Sequence, residues 1–357
     1  MDFHKRARRL RRAIAREKVD ALLVTDLTNI AYLTGFKGSF GLLLVTLKET
    51  VFLTDFRYIE TAQEKVTADE AIRTSGDHFE DVRREAKTRK IRRLGVESRA
   101  LSHADFLQLA SKIGEKSLAP LNDSVEKLRM IKEDQEIALI RKAVKLTEKA
   151  LRHVRAFLEP GISESDLAAE LEIFFKLKGG EPGFRPIVAF GERSSMPHYV
   201  SSGRRLKADD IVLIDVGTSV KGYHADLTRT WLSRSMEAKE KEIYRSVLDA
   251  QRAAIDRVKP GVSLASIDAA ARQVISSRGY GESFGHGLGH GIGLNVHELP
   301  RTSPRSQGRC RKGMVFTIEP GIYIPRWGGV RIEDDLLVTE MGCEVLSTFP
   351  KGPRPFM

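Results

Sequence analysis

The strongest constraint on the fold is an apolar strand that ends in a carboxylate. Residues 211–214 read Ile-Val-Leu-Ile, and Asp215 follows directly. Continuous apolar runs of this kind are typical of strands that are buried on both faces. A carboxylate at the end of such a strand is costly to bury unless it is paired or binds a cation. The sequence therefore predicts a buried sheet with a polar site at one end.

A second carboxylate, Asp226, follows eleven residues later, with the turn-forming pair Lys221-Gly222 between the two. An antiparallel hairpin around this turn would bring both carboxylates side by side. Two unpaired like charges repel each other there, and a divalent cation removes that repulsion. Taken alone, however, two strand-end aspartates are more often structural than metal-binding.

A glycine- and histidine-rich stretch covers residues 284–297. It contains five glycines and three of the nine histidines of the chain, His286, His290 and His297. Glycine permits backbone conformations and close approaches that other residues resist. Histidine is the commonest imidazole metal ligand and the usual acid–base group near neutral pH. The stretch is therefore predicted to line a functional site.

Two further acids follow apolar segments. Glu319 ends the run at residues 314–318, and Glu333 follows Val-Arg-Ile, with Asp334 and Asp335 directly after it. Spacing alone does not choose among these last three acids. Carboxylates with one imidazole suit Mn, Fe, Co or Zn. Two such ions about 3.5–4 Å apart can activate a water molecule for hydrolysis.

Composition limits the remaining classes of function. The 357 residues, 41% of them apolar, suffice for two domains. The net charge of +11 is spread as +6 over residues 1–122 and +5 over residues 123–357, interleaved with acids, so no nucleic-acid partner is predicted. No apolar run is long enough for a membrane span, and the Arg-rich start lacks the apolar stretch of a secretory signal. We expect a cytoplasmic protein without a membrane partner.

Alternating short strands and helices predict an α/β domain over residues 1–122, followed by a strand-rich domain over residues 123–357. Proline and turn formers at 119–123 indicate a linker. A long helix is expected from Ser124 and a second one after Ser163. No internal repeat is apparent. The predicted elements of the first domain are strands at 21–25, 41–46 and 51–54 and helices at 6–17, 58–66 and 81–93.

The acids and the histidine stand in five motifs along the chain: Ile214-Asp-Val-Gly217, His224-Ala-Asp-Leu-Thr-Arg-Thr230, Gly289-His-Gly-Ile-Gly-Leu294, Thr317-Ile-Glu-Pro-Gly321 and Gly329-Val-Arg-Ile-Glu333. Taken in order, these motifs resemble the metal-site motifs of the pita-bread metallopeptidases, which include methionine aminopeptidase, aminopeptidase P and prolidase. The first domain carries segments at 26–36 and 53–57 that are similar to the creatinase-type N-terminal domain of the proline-specific branch. The resemblance implies an α/β (α+β) chain, with a creatinase-like domain before a pita-bread catalytic domain.

The resemblance also implies a ligand set for two divalent ions, with Mn as the first candidate and Co, Zn or Fe as the others. Asp215 would hold one ion, and His290 and Glu319 the other. Asp226 and Glu333 would bridge both.

The resemblance assigns further roles around these ligands. His198 would contact the substrate near the scissile bond, His297 would stabilise the tetrahedral intermediate, and Glu319 would move the proton to the departing nitrogen. His286 and Arg331 would belong to the substrate side of the site, and Arg331 would also support the bridging glutamate at position 333.

The implied activity is hydrolysis of the bond before proline in peptides with proline at the second position. The main expectation is an Xaa-Pro aminopeptidase that acts as a homodimer, and the alternative with the same site is an Xaa-Pro dipeptidase (prolidase). A non-catalytic pita-bread binding module and a metal-free amidinohydrolase similar to creatinase are remoter alternatives. Both are disfavoured because all five ligand positions are intact.

Overall fold

The N-terminal part of the chain forms layers of helices around one mixed sheet. The computed structural model describes residues 1–355, and the chain divides into two units, Met1–Arg129 and Met130–Met357. The strands of the first unit are β1 (Ala21–Val24), β2 (Leu42–Thr46), β3 (Thr50–Thr54), β4 (Glu70–Arg73), β5 (Leu94–Glu97) and β6 (Leu118–Leu121). Its helices are α1 (Phe3–Arg16), α2 (Leu27–Thr34), α3 (Ile59–Lys65), α4 (His78–Thr88), α5 (His103–Ile113) and α6 (Glu126–Arg129), with a 3-10 turn at Glu115–Ser117.

The sheet of this unit has the order β4-β3-β2-β1-β5-β6, with parallel pairs at both edges. The apolar runs expected at residues 21–25, 41–46 and 51–54 form its three neighbouring central strands β1, β2 and β3, which are buried along their whole length. The α/β fold predicted for this part of the chain is confirmed.

Three sequence predictions in this region are wrong in detail. Residues 119–123 are not simply a linker, because Leu118–Leu121 forms the edge strand β6, where Pro120 needs no donor on its outer side. The helix expected at 81–93 starts earlier, because the Asp77 side chain caps it, and it ends before Lys90, whose φ is 56°. The long helix expected from Ser124 is interrupted after Arg129, since Ile131 pairs with Met314 instead.

The second unit contains four long helices and thirteen strands in its described residues. Its helices are α7 (Asp134–Arg155), α8 (Glu164–Leu177), α9 (Ala238–Arg257) and α10 (Leu264–Ser277), with 3-10 turns at Gly191–Ser195 and Gly281–Ser283. Its strands are β7 (Glu181–Pro182), β8 (Ile187–Phe190), β9 (Val212–Val216), β10 (Thr218–Val220), β11 (Tyr223–His224), β12 (Leu227–Trp231), β13 (Gly289–Gly291), β14 (Glu298–Thr302), β15 (Val315–Ile318), β16 (Gly321–Ile324), β17 (Gly328–Arg331), β18 (Asp334–Val338) and β19 (Cys343–Val345).

The predicted hairpin around Lys221-Gly222 is present. Strands β10 and β11 are joined by these two residues alone, and both have positive φ, 53° and 88°. Positive φ at both turn positions matches the right-handed twist of the flanking strands. Beyond this turn β12 runs antiparallel to β9, with Thr228 opposite Asp215. The sequence between the two aspartates thus folds back on itself and brings them to one end of the sheet.

The second unit contains an internal repeat that the sequence analysis missed. Strands β8, β9 and β12 form one antiparallel sheet, and β13, β15 and β18 have the same order and directions in the five-stranded sheet. Helices α8 and α10 each follow a Pro-Gly pair, and the two glycines make equivalent bonds. Gly161 donates its N–H to Leu206 O and Gly261 to Cys310 O, both at 2.9 Å. This repeat was not apparent from the sequence alone.

Each half of this repeat packs its own apolar core. The first core includes Leu171 and Phe175 of α8 against Ile214 of β9. The second includes Ile267 of α10 against Phe316 of β15. The strand ends that carry the acids are thereby fixed by rigid layers on both sides. Within residues 1–355, no helix combines the length and the apolar character needed to cross a bilayer.

Candidate metal centre

Four carboxylates lie at equivalent places in the two halves of the repeat. Asp215 lies near the end of β9, and Glu319 directly follows the matching strand β15. Asp226 directly precedes β12, and Glu333 directly precedes the matching strand β18. Because β9 pairs with β12 and β15 with β18, each half brings one acid of each kind to the same end of its sheet.

Three of the predicted ligands form a tight group. Asp226, His290 and Glu333 each offer one ligand atom, and these atoms lie within 4.8 Å of one another. His290 Nε2 is 3.6 Å from Asp226 Oδ2 and 3.3 Å from Glu319 Oε1. Asp215 is connected to the same site through Arg331, whose Nη2 donates to Asp215 Oδ2 at 2.6 Å. The structure therefore brings all five residues predicted as metal ligands into one site.

Several carboxylate oxygens in this site are buried without a hydrogen-bond partner among the described residues. They are Asp215 Oδ1, Asp226 Oδ1, Glu333 Oε1 and Asp335 Oδ1. A buried acceptor without a donor is expensive, and more so when it carries charge. A cation provides the missing partner for several such oxygens at once. The donor set, oxygen-rich with one imidazole, fits hard or borderline divalent ions.

The pKa values reflect the same crowding of acids. Burial, followed by the neighbouring carboxylates, raises the pKa of Asp226 and of Glu333 well above the ordinary range. Burial also raises the pKa of Glu319 to about 8, although the charge of Arg331 lowers it. Without a cation, these raised pKa values favour the protonated over the ionised side chains. A divalent ion would take the place of those protons.

His290 is prepared as a neutral ligand. Its Nδ1 lies 3.2 Å from the carbonyl oxygen of Gly291, which can only accept, so Nδ1 carries the hydrogen. The lone pair then lies on Nε2, the atom nearest to Asp226 and Glu319. Burial and the charge of His297 lower the pKa of His290 to about 4, which keeps the ring neutral. A ring whose second nitrogen is fixed in this way is the usual form of a metal-bound histidine.

Arg331 connects the acids of the two halves. Besides Asp215, its guanidinium donates to Thr228 Oγ1 at 3.0 Å and to Tyr323 Oη at 2.9 Å. The Thr228 hydroxyl in turn donates to Glu333 Oε2 at 2.5 Å. Arg331 is buried, with 3% of its surface exposed, so its contacts are with these groups rather than with solvent. Arg331 thus binds Asp215 directly and Glu333 through Thr228.

His286, assigned to the substrate side from the sequence, is joined to this network by Tyr323. His286 Nδ1 lies 2.8 Å from Gly287 O and therefore carries the hydrogen, so Nε2 accepts from the Tyr323 hydroxyl at 2.9 Å. Burial lowers the pKa of His286 to about 4 and raises that of Tyr323 to about 12. A continuous chain of hydrogen bonds thus runs from Arg331 through Tyr323 to His286.

His198 and His297 lie on the exposed side of the site. The ring of His297 is 4.1 Å from that of His290, at an interplanar angle of 63°. Burial and the charge of His198 lower the pKa of His297, and His198 acts in the same direction on His286. The structure therefore brings His198 and His297 together with the ligand cluster but leaves both exposed to solvent.

The structure separates the three consecutive acids that spacing did not resolve. Glu333 and Asp335 lie toward the cluster, and Asp335 Oδ2 accepts the N–H of Asp226 at 3.0 Å. Asp334 points the other way and pairs with Arg229 at 2.7 Å. Burial raises the pKa of Asp335 to about 8. Side chains alternate along a strand, so the shared face of positions 333 and 335 was a signal in the sequence.

Two other members of the network, Thr228 and Tyr323, were not identified from the sequence as site residues. Thr228 lies in the segment that follows Asp226, two positions away and so on the same face of an extended chain. That spacing could have identified it. Tyr323 lies on β16, which pairs with β17, the strand that carries Arg331. The short connection Pro325-Arg326-Trp327 before two glycines is a hairpin signal that could have indicated this pairing.

Comparison with known proteins supports both parts of the chain. Residues 138–340 match Metallopeptidase family M24, and residues 6–131 match the Creatinase/Prolidase N-terminal domain. The Xaa-Pro dipeptidase of Pyrococcus horikoshii is 35% identical over 335 residues, 93% of each chain.

Solved structures agree with these matches. The structure of an Xaa-Pro dipeptidase from Bacillus anthracis is 38% identical, with a TM-score of 0.96 over 99% of both chains. That of an X-Pro aminopeptidase from Thermotoga maritima is 33% identical, with a TM-score of 0.86 over 96% of this chain and 99% of that one. The resemblance and the fold class derived from the sequence are thereby confirmed. The chain belongs to metallopeptidase family M24 and carries the creatinase/prolidase N-terminal domain in front of its catalytic unit.

Proposed function

We propose that the protein is a metal-dependent Xaa-Pro dipeptidase, which hydrolyses the bond before proline in a dipeptide. The hydrolytic part of this proposal rests on the cluster of acids with one neutral imidazole. Several carboxylate oxygens of this cluster are buried without a hydrogen-bond partner among the described residues. The choice of substrate rests on the similarity to the two Xaa-Pro dipeptidases. The sequence analysis expected mainly an Xaa-Pro aminopeptidase, with an Xaa-Pro dipeptidase as the alternative. The proposal favours the dipeptidase. The similarity to the Thermotoga maritima X-Pro aminopeptidase keeps aminopeptidase activity as the second candidate.

The cluster would hold two divalent ions, with manganese as the first candidate. Asp215 would bind one ion, His290 and Glu319 the other, and Asp226 and Glu333 both. When bound, such ions supply Lewis acidity and lower the pKa of water enough for attack on a peptide carbonyl at neutral pH. Five ligand residues exceed what one tetrahedral ion requires.

Glu319 would act as the proton carrier of the reaction. The Thr317 hydroxyl donates to Glu319 Oε1 at 3.2 Å, and His290 Nε2 lies near the same oxygen at 3.3 Å. The other oxygen, Oε2, is then the one left to take a proton from the attacking water. Transfer of that proton to the proline nitrogen would allow the amine to leave.

His297 would stabilise the negative oxygen that develops on the substrate carbonyl. Its lowered pKa favours the neutral ring at pH 7, which donates one N–H without carrying a charge. His198 would contact the substrate from the neighbouring loop. His286 and Arg331 would form the supporting side of the substrate site through their shared bond to Tyr323.

The test is a comparison of peptide substrates with manganese-loaded protein. We expect hydrolysis of Ala-Pro, a kcat/KM for Ala-Pro-Ala at least about tenfold lower, and no hydrolysis of Ala-Ala as the matched control. A reversed preference would establish an aminopeptidase. Loaded protein that binds metal but cleaves none of the peptides would leave a non-catalytic binding module.

The expected homodimer and cytoplasmic location belong to the same proposal. Light scattering of the metal-loaded chain at several concentrations tests the dimer, and cell fractionation with an antibody against the chain tests the location. A monomer at all concentrations would remove the dimer from the proposal.

A further inference from the structure

A carboxylate outside the metal centre holds the loop that carries His198. Glu164, the first residue of α8, has no exposed surface, and it accepts four hydrogen bonds. Oε1 accepts from the N–H of Phe190 at 2.9 Å. Oε2 accepts from the Tyr199 hydroxyl at 2.8 Å and from the N–H and hydroxyl of Ser202 at 3.1 and 2.8 Å. All the donors belong to residues 190–202.

These donors lie at the two ends of one loop. Phe190 ends β8, which pairs with β9, the strand of Asp215. Tyr199 and Ser202 lie at the other end of the loop, directly after His198. Among the described residues no side-chain hydrogen bond holds His198 itself, so the backbone of the loop determines where its ring lies. Two other bonds hold the same end of the loop, since Ser202 O accepts from the N–H of Ser165 at 2.9 Å and Ser201 Oγ accepts from the N–H of Val188 at 2.8 Å. Glu164 is the buried acid that binds both Phe190 and the residues that follow this histidine.

The internal repeat supplies a control for the role of Glu164 in the fold. Leu264 takes its place as the first residue of α10. The first residue of each helix makes an equivalent backbone bond. Glu164 N donates to Arg204 O at 3.1 Å, and Leu264 N donates to Gly308 O at 3.2 Å. The second half therefore forms this helix start and its strand contact without any carboxylate. The acid in the first half serves the loop rather than the helix.

We propose that Glu164 is a positioning residue that sets the place of His198 against the substrate by holding both ends of the 190–202 loop. This inference rests on the role given to His198 in the proposed function. Within residues 1–355 Glu164 makes no hydrogen bond to the ligand cluster, and it acts through the loop.

Glu164→Gln is the sharpest perturbation because it keeps the size of the side chain. Oε1 of the amide can still accept from Phe190, which leaves the NH2 group facing Ser202. The hydroxyls of Tyr199 and Ser202 can rotate to accept from this group, but the Ser202 N–H cannot. The substitution should therefore loosen the end of the loop next to His198, which keeps its bonds from Ser165 N–H and Val188 N–H. Glu172→Gln, the same change at a half-buried position of the same helix, is the matched control.

The experiment is a double-mutant cycle on manganese-loaded protein, with Ala-Pro as substrate. We expect Glu164→Gln to lower kcat/KM on the order of 10- to 100-fold, as displaced catalytic groups do. In the His198→Ala background the same change should lower it less than about twofold, because the displaced ring is already absent. Equal losses in both backgrounds would overturn the positioning role while leaving the proposed function intact. A His198→Ala variant with wild-type kcat/KM would remove His198 from the proposed function and this inference with it.

A second measurement does not depend on activity. Hydrogen exchange of the amides at 198–202 should become faster in Glu164→Gln and stay unchanged in Glu172→Gln. Unchanged exchange in both variants would overturn the inference, even if the protein hydrolysed no Xaa-Pro peptide. If Glu164→Gln does not fold, Tyr199→Phe removes one of the four bonds, and the same cycle and exchange experiment apply to it.

Discussion

Of the three consecutive acids at 333–335, Asp334 lies away from the ligand cluster and pairs with Arg229. Its replacement tests whether it serves the stability of the fold. It is fully buried, and its carboxylate accepts from Arg229 at 2.7 Å and from Gln251 at 3.0 Å. Ser347 and Lys351 also donate to it. Arg229 is 2% exposed and ties β12 to this strand and to the carbonyl of Phe349. Asp334→Ala removes the acceptor and leaves the guanidinium of Arg229 buried without its countercharge.

The size of the effect follows from that burial. Removing one partner of a buried ion pair costs about 3–5 kcal/mol, because the remaining charge has lost both water and partner. For a domain the size of the second unit, 1 kcal/mol corresponds to a shift in Tm of about 2–4 °C. We therefore expect Asp334→Ala to lower the Tm by about 6 to 20 °C. The matched control Asp209→Ala, at an exposed position, should change stability by less than about 0.5 kcal/mol.

The assay is scanning calorimetry of both variants in the presence of a chelator, so that metal binding does not enter the comparison. A Tm of Asp334→Ala within 2 °C of the parent value would refute the reasoning, because a loss of about 3–5 kcal/mol requires a larger shift. It would mean that the network around Arg229 rearranges to satisfy the guanidinium.

The pH dependence adds an independent check. Burial raises the pKa of Asp334, but the charges of Arg229 and Lys351 and the hydrogen bonds lower it more, so the net value lies below 3.8. A carboxyl whose pKa is lower in the folded than in the unfolded chain stabilises the fold above the unfolded value, and this stabilisation is lost as the pH falls through the folded value. The difference in Tm between the parent and Asp334→Ala should therefore be constant near neutral pH and shrink only below about pH 4.

Three further outcomes can be measured on the same protein. His297→Ala should keep its metal and Tm but lose roughly a hundredfold in kcat; an unchanged kcat with a lower Tm would make His297 structural. A Cβ at Gly289 would lie 2.0 Å from Thr317 O, whereas one at Gly203 meets nothing within 4 Å. Gly289→Ala should therefore lower the free energy of unfolding by about 1–3 kcal/mol or more and weaken metal binding, whereas Gly203→Ala should change neither. Equal stability and metal affinity of the two variants would contradict the close approach of Gly289 to Thr317. Manganese uptake at pH 7 should release protons, because the pKa of Glu319 is about 8 without metal; calorimetry in buffers of different ionisation enthalpy would show no release if the acids were already ionised.

Much of the site could be predicted because its residues interrupt strong local patterns. An acid at the end of a largely apolar, buried strand, as at Asp215 and Glu319, is conspicuous in a sequence because burial of a lone charge is so unfavourable. The strands themselves are equally visible, since β1, β2 and β3 are continuous apolar runs. These features depend on neighbours along the chain, and local patterns suffice to find them.

Features that depend on distant partners were not accessible in this way. The edge strand β6 was taken for a linker because its proline weakens the strand pattern, and only its position beside β5 makes the proline harmless. Glu164 has ordinary sequence surroundings, and its contacts lie on a strand and a loop elsewhere in the chain. The repeat left a faint trace in Pro160-Gly161 and Pro260-Gly261, which is too short to be recognised without the matching strand order.

The two similar halves of the second unit have a consequence for the rate of metal exchange. Asp215 and Asp226 belong to one half, and Glu319 and Glu333 to the other, so each half alone retains a single pair of acids. An ion bound as proposed by acids of both halves would dissociate only after ligands of both halves had released it. Substitutions in the apolar cores that loosen either half should therefore speed dissociation without altering any ligand.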